Sequence, residues 1–223
     1  MPHSCPRKRR TGRPRSAETD RAILDAARAA LVDLGWGRFT MGDVATRAGV
    51  AKTTLYRRWA NKNELAVDAV AVQFDELELP DRGSLQADIE GVVLQFGRLL
   101  ERPETKTALM AVVAESTADA ALRERIRTTI VDRQIRLVIL GRERAQQRGE
   151  LPPDPPDPEG AHAAAETVGL IFDVIAGAIV HRTLVSAEPV DPAWARRLAT
   201  ILLTGLAGVG GEGRAGSPVG LNP

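Results

Sequence analysis

Residues 40–59 read TMGDVATRAGVAKTTLYRRW, and their spacing decides the architecture. Two short helices that cross at a steep angle need a small residue where they touch, a glycine at the turn and an apolar anchor in the second helix. Ala45, Gly49 and Leu55 fill these roles at spacings of four and six, and Val44 and Val50 add apolar contact. Thr40-Met41-Gly42-Asp43 has the form of a capping box with Asp in the place of Glu, so a helix is expected to open at Thr40 and to end at Gly49. A short helix follows, from about Ala51 to Trp59. Asn61-Lys62-Asn63-Glu64 is a second capping box, launching a longer helix that ends before Pro80. The unit is a helix-turn-helix.

The second helix of that unit is rich in groups that contact DNA. Lys52, Thr53 and Thr54 lie near its N-terminus, where Lys can donate to guanine acceptors and Thr methyls can meet thymine in the major groove. Tyr56, Arg57 and Arg58 extend the polar face toward phosphates. Leu55 and Trp59, four apart, fall on the opposite side and are expected in the core. Thr40 and Lys62 stand at helix N-termini, where unpaired N–H groups and the helix dipole favour an anion. Both are therefore expected to position phosphates without reading sequence.

Charge agrees with this reading. The net charge of the chain is +1, yet residues 1–60 hold 13 Lys/Arg against 5 Asp/Glu, a net of +8, while residues 61–223 hold 17 against 24, a net of −7. A basic module on an acidic body meets a polyanion with one end. The arm Arg7-Lys8-Arg9-Arg10-Thr11-Gly12-Arg13-Pro14-Arg15 holds six positive charges and no acid. It is expected to be flexible and to add salt-dependent affinity, or else to serve as a solubilising tail. The single cysteine, Cys5, excludes a disulfide framework and points to a reducing cytoplasm. The N-terminus lacks the apolar core of a secretory signal, and no uninterrupted apolar stretch is read as long enough to cross a membrane.

No alternating β-branched run reads as a strand, so the fold class is all-α, with about nine helices. The first helix is expected to open at Ser16, to carry Ile23, Leu24, Ala27, Leu31 and Leu34 on one stripe, and to stop at Gly35. Beyond Pro80 the expected helices run roughly over 85–100, 106–116, 121–147, 159–186 and 193–206. They are separated by Arg102-Pro103, the proline-rich run 151–158 and the turn 188–192. The organisation is thus a basic arm (1–15), a DNA-binding unit (16–62), a helical body (63–207) and a Gly-rich tail (208–223).

Over residues 20–70 the sequence resembles the TetR family of bacterial regulators. Gly35, Phe39-Thr40, Val44-Ala45, Ala48-Gly49-Val50, Thr54-Leu55-Tyr56, Trp59 and Lys62-Asn63-Glu64-Leu65 carry the likeness. Lys52 and Thr53 stand where the family usually has a small residue and glycine, and Trp59 where it usually has Phe, so base preference does not transfer. The resemblance implies a homodimer with a three-helix DNA-binding head and a larger body for ligand binding and dimerisation. The first hypothesis on this reading is a homodimeric repressor released from double-stranded operator DNA by a small-molecule inducer, with repression or activation left open.

In the body, Phe96, Met110, Val113 and Phe172 are candidates to line a ligand pocket, or else ordinary core. The last two helices, through Ile171, Ile175, Ala178, Trp194, Leu198, Ile201 and Leu202, are candidates for a four-helix dimer interface, with Gly169, Gly177 and Gly205 allowing close approach. The alternative is that they lie inside one protomer. His162 and His181 are 19 apart with no cysteine nearby, so no metal is expected, and nothing suggests a cofactor. No phosphate-cradling loop or nucleophile–base pairing stands out, so an enzyme is not expected. A DNA-binding regulator without an inducer stays open.

Overall fold

A computed structural model describes the backbone of residues 14–209 and the side-chain surroundings of residues 17–205. The basic arm up to Arg13 and the tail from residue 210 lie outside the described residues. Among the described residues every regular element is helical: α1 (Pro14–Arg38), α2 (Met41–Arg47), α3 (Lys52–Tyr56), α4 (Lys62–Phe74), α5 (Leu85–Glu101), α6 (Pro103–Ser116), α7 (Ala120–Ile126), α8 (Asp132–Gln147), α9 (Pro158–Val180) and α10 (Pro192–Val209). A π-helical turn, Arg127–Val131, joins α7 to α8 without a break, and another, His181–Val185, extends α9. Counted through these π-helical turns, the described residues form nine helical segments, matching the about nine that the sequence pattern predicts.

Local chemistry sets most of the ends. Helix α1 opens at Pro14, two residues ahead of Ser16, and is interrupted at Gly35, whose φ of 67° and ψ of 168° are not helical. A single turn, Trp36–Arg38, follows it. Thr40 caps α2, its hydroxyl accepting from the Asp43 N–H at 3.2 Å. Asn61 caps α4 in the same way, from Glu64 N–H at 3.0 Å. The return arm of that box reaches one residue further back, since Glu64 Oε2 accepts from Ala60 N–H at 2.9 Å. Gly49 has φ +65°, a left-handed conformation that glycine adopts without a Cβ penalty, and it turns the chain so that Val50 N–H donates to Ala45 O at 3.0 Å.

Helix α4 ends at Phe74, before Pro80 as expected, and residues 75–84 form a connecting loop that still buries Leu77 and Leu79. Ile23, Ala27, Leu31, Val44, Leu55 and Leu65 are fully buried where α1, α2, α3 and α4 meet. Each large member contributes about 1.5–3 kcal/mol through the area it removes from water. Helix α6 packs on α1 and α4, attaching the N-terminal unit to the body, and α5 packs on α8, α9 and α10.

Candidate nucleic-acid interface and ligand cavity

The helix-turn-helix closes on the residues that the spacing singles out. Val44, Ala45, Leu55 and Trp59 are buried, Val50 is half-buried, and Gly49 makes the turn. On the other side of α3, Lys52, Thr53, Tyr56 and Arg57 are all exposed. Their spacing puts them on one helical face, with Tyr56 54% exposed at its middle. The Lys52 ammonium lies close over Gly42, within 3.0 Å of where a Cβ would stand, so the first turns of α2 and α3 are neighbours. Thr54 is half-buried beside them.

Three of the residues expected to contact DNA have side-chain partners within the protein. Arg58 is not a free cation of the reading face: its guanidinium pairs with the Asp20 carboxylate of α1, and the side chain is 19% exposed. Lys62, expected to position a phosphate, has partners within the protein. Its ammonium donates to the Trp36 carbonyl at 3.2 Å and lies 4.8 Å from the centre of the Trp36 ring, because α4 starts beside the end of α1. Thr40 is exposed, but its hydroxyl donates to Asp43 Oδ2 at 2.5 Å while capping α2.

Sequence reasoning missed the junction behind the head. The Trp59 indole N–H donates to Asp68 Oδ2 at 2.9 Å, and Arg125 donates to Asp68 Oδ1 at 2.8 Å. Asn63 Nδ2 donates to Asp119 Oδ2 at 2.9 Å. Helix α7 is therefore hydrogen-bonded to the base of the DNA-binding unit. A signal existed: Asp68 is the lone charge in the apolar run 65–74, and a carboxylate there needs a partner.

In the body, a cavity of about 100 Å³ lies between the end of α4, α5, α8 and α9. Phe96 and Phe172 line it, as expected. Met110 and Val113 do not: each is 44% exposed, because α6 turns its other side, with Ala108, Leu109 and Val112, into the core. Ile171, Ile175 and Leu202, candidates for a dimer interface from the sequence, line the cavity within the protomer.

Of the other interface candidates, Leu198 is buried within the protomer, and Ala178 and Trp194 are half-buried, with Arg182 4.9 Å over the Trp194 ring. Ile201 is 67% exposed, as an interface residue in a lone protomer would be. Leu170, at 61%, and Val174 are also exposed on α9. Pro158–Val185, though interrupted by Glu166 and Asp173, is long and apolar enough, by length and composition, to cross a membrane. Its Glu166 and Asp173 are exposed, however, and a carboxylate at membrane depth is costly.

Known proteins agree with this geometry. Residues 23–69 match the family model of bacterial regulatory proteins of the tetR family, and residues 79–202 match the tetracyclin repressor-like C-terminal domain. The uncharacterized HTH-type transcriptional regulator YdeS of Bacillus subtilis (strain 168) is 31% identical over 189 residues, covering 84% of this chain and 89% of that one. The DNA-binding transcriptional repressor TetR of Mycobacteroides abscessus is 32% identical over 197 residues, covering 86% and 93%. Among solved structures, the TetR family transcription regulator SCO0332 superposes with a TM-score of 0.65 at 30% identity, covering 84% of this chain and 98% of its own. The fold is shared by FadR from Bacillus subtilis, solved in complex with stearoyl-CoA, with a TM-score of 0.63 at 16% identity over 82% of this chain and 97% of its own. An exposed α3 face on a buried helix-turn-helix core, joined to an all-helical body, makes this chain a DNA-binding transcriptional regulator of the TetR family.

Proposed function

We propose that the chain acts in the cytoplasm as a homodimeric repressor that leaves its operator when a small molecule occupies the body cavity. The observation that carries this reading is the course of α4. Its first turn is anchored beside the DNA-binding unit, where Asn61 caps it and Lys62 holds Trp36. Its last residue, Phe74, lines the cavity, and the Phe74 carbonyl accepts from Gln134 Nε2 of α8 at 3.1 Å. A ligand that alters the cavity wall thus acts on one end of a rod whose other end positions α3. Binding shifts the population only insofar as the ligand prefers one arrangement. The ligand held by FadR supports a body of this fold serving as a small-molecule receptor.

The bare side of the last two helices supports dimerisation. Leu170, Val174 and Ile201 are exposed, and nothing lies within 4 Å of a Cβ placed at Gly177 or Gly205. A second copy on this face buries the apolar groups and sets two heads on successive major-groove half-sites. On the exposed face of α3, Lys52, Thr53, Tyr56 and Arg57 read DNA, with Thr54 at its margin.

Footprinting on the DNA upstream of its own gene tests the proposal. Protection of two related half-sites about one helical turn or a multiple apart is expected. A footprint confined to a single half-site sinks the dimeric reading.

A further inference from the structure

We infer that the body cavity selects an uncharged, largely apolar ligand bearing one hydrogen-bond donor, which meets the side-chain oxygen of Gln134. This deepens the reading of the cavity as the ligand site and rests on it.

Three polar side chains reach the cavity wall: Asp88, Gln134 and Arg142. The two charges are already engaged. Asp88, with no exposed surface, accepts from Arg82 N–H at 2.7 Å and from Arg148 at 3.0 Å. Arg142 donates to Asp154 Oδ1 at 2.5 Å. A ligand carboxylate would share the Arg142 guanidinium with Asp154 and would bring its charge into the same cavity wall as Asp88. An anion entering this cavity is therefore desolvated and meets only a cation whose charge Asp154 already offsets.

Gln134 is different. It is 9% exposed, and its amide orientation is set because Nε2 donates to the Phe74 carbonyl at 3.1 Å. That leaves Oε1 as the acceptor, and this oxygen is buried with no hydrogen-bond partner in the protein. A buried acceptor without a donor is costly, so a donor that arrives with the ligand is strongly discriminated from an isostere lacking one. The remaining wall is aliphatic and aromatic, as Phe96, Leu137 and Phe172 illustrate. An alcohol, phenol or secondary amide on a hydrocarbon frame matches it; a fatty carboxylate or a phosphate ester does not.

Titration calorimetry of the full-length protein at neutral pH with octan-1-ol, octyl methyl ether and sodium octanoate tests this. Octan-1-ol is expected to bind about tenfold more tightly than the ether, the worth of one satisfied buried acceptor, with octanoate weakest. In Gln134→Leu the ratio of alcohol to ether is expected to fall to about one, whatever the change in absolute affinity. Because that substitution also frees the Phe74 carbonyl, the ratio in the unmodified protein stands as an independent measurement should the variant not fold. Equal binding of alcohol and ether, an unchanged ratio in a folded Gln134→Leu, preferential binding of octanoate, or no binding of any of the three overturns the inference. A gel shift with saturating octan-1-ol separates this from the regulatory reading. Alcohol-selective binding that leaves the operator complex intact overturns ligand-induced release and keeps the ligand class.

Discussion

The Lys62 ammonium donates to the Trp36 carbonyl at 3.2 Å and sits 4.8 Å over the same residue's indole. It ties the first turn of α4 to the turn that follows the Gly35 interruption of α1. One side chain therefore satisfies a backbone carbonyl near the end of α1 and covers an aromatic face, with Trp36 in turn 6.3 Å from Phe39.

Replacing Lys62 by Ala is expected to lower stability by about 1 kcal/mol, for a lost hydrogen bond and a half-buried cation–π contact. In a chain of this size that is a fall of about 2–4 °C in Tm. The salt dependence of DNA binding separates this from a phosphate contact. Losing one phosphate contact reduces the slope of log K against log salt by about 0.9, whereas a structural lysine leaves it unchanged.

The exposed face of α3 predicts the reverse. Lys52→Ala and Tyr56→Ala remove exposed side chains, so the thermal melt should shift by less than about 0.5 kcal/mol per site. Operator affinity is expected to drop by about tenfold or more for each. Fluorescence anisotropy with labelled operator, beside circular dichroism melts, reads both quantities. Retained affinity in the double variant would remove α3 as the reading element.

At the far side of the body, Leu85 N–H donates to Glu150 Oε2 at 2.7 Å. That bond, reinforced by Arg148, holds the Glu150 carboxyl below its ordinary value of 4.5. A carboxylate with a depressed value in the folded state contributes stability above its unfolded value and loses that contribution as the pH falls through the folded one. Glu150→Gln should therefore melt below the unmodified protein at neutral pH, and the gap should close as the pH is taken down past 4.5. A gap that stays constant across an acid series of melts would exclude this ionisation.

The bare apolar face of α9 and α10 sets an assembly prediction. Leu170→Asp and Ile201→Arg place charges at positions 61% and 67% exposed in one protomer, where they cost little unless a partner covers them. Sedimentation velocity is expected to show a dimer for the unmodified chain and a monomer for the double variant. An unchanged dimer would move the interface elsewhere.

Much of the fold was legible because it is written in local rules. Thr40 and Asn61 cap, Gly35 and Gly49 turn, and the proline-rich runs separate helices, each through forces acting within a few residues. The helix-turn-helix core was legible for the same reason, since its three determining residues lie within eleven positions of one another. The face of α3 followed from helical period alone.

The destination of a long side chain was not legible. Arg57 and Arg58 are neighbours of the same type, yet one is exposed and the other pairs with Asp20, 38 residues away in sequence. Nothing local separates them. Met110 and Phe96 are equally apolar, but only the packing of α6 on α1 and α4 decides that Met110 faces outward while Phe96 meets the cavity. The sequence by itself thus determined the elements, the turn and the DNA-reading helix, because capping, turn chemistry and period are short-range. Tertiary structure alone decided which cations are spent inside and left Gln134 with an acceptor to fill, because those outcomes depend on elements that meet only when the chain is folded.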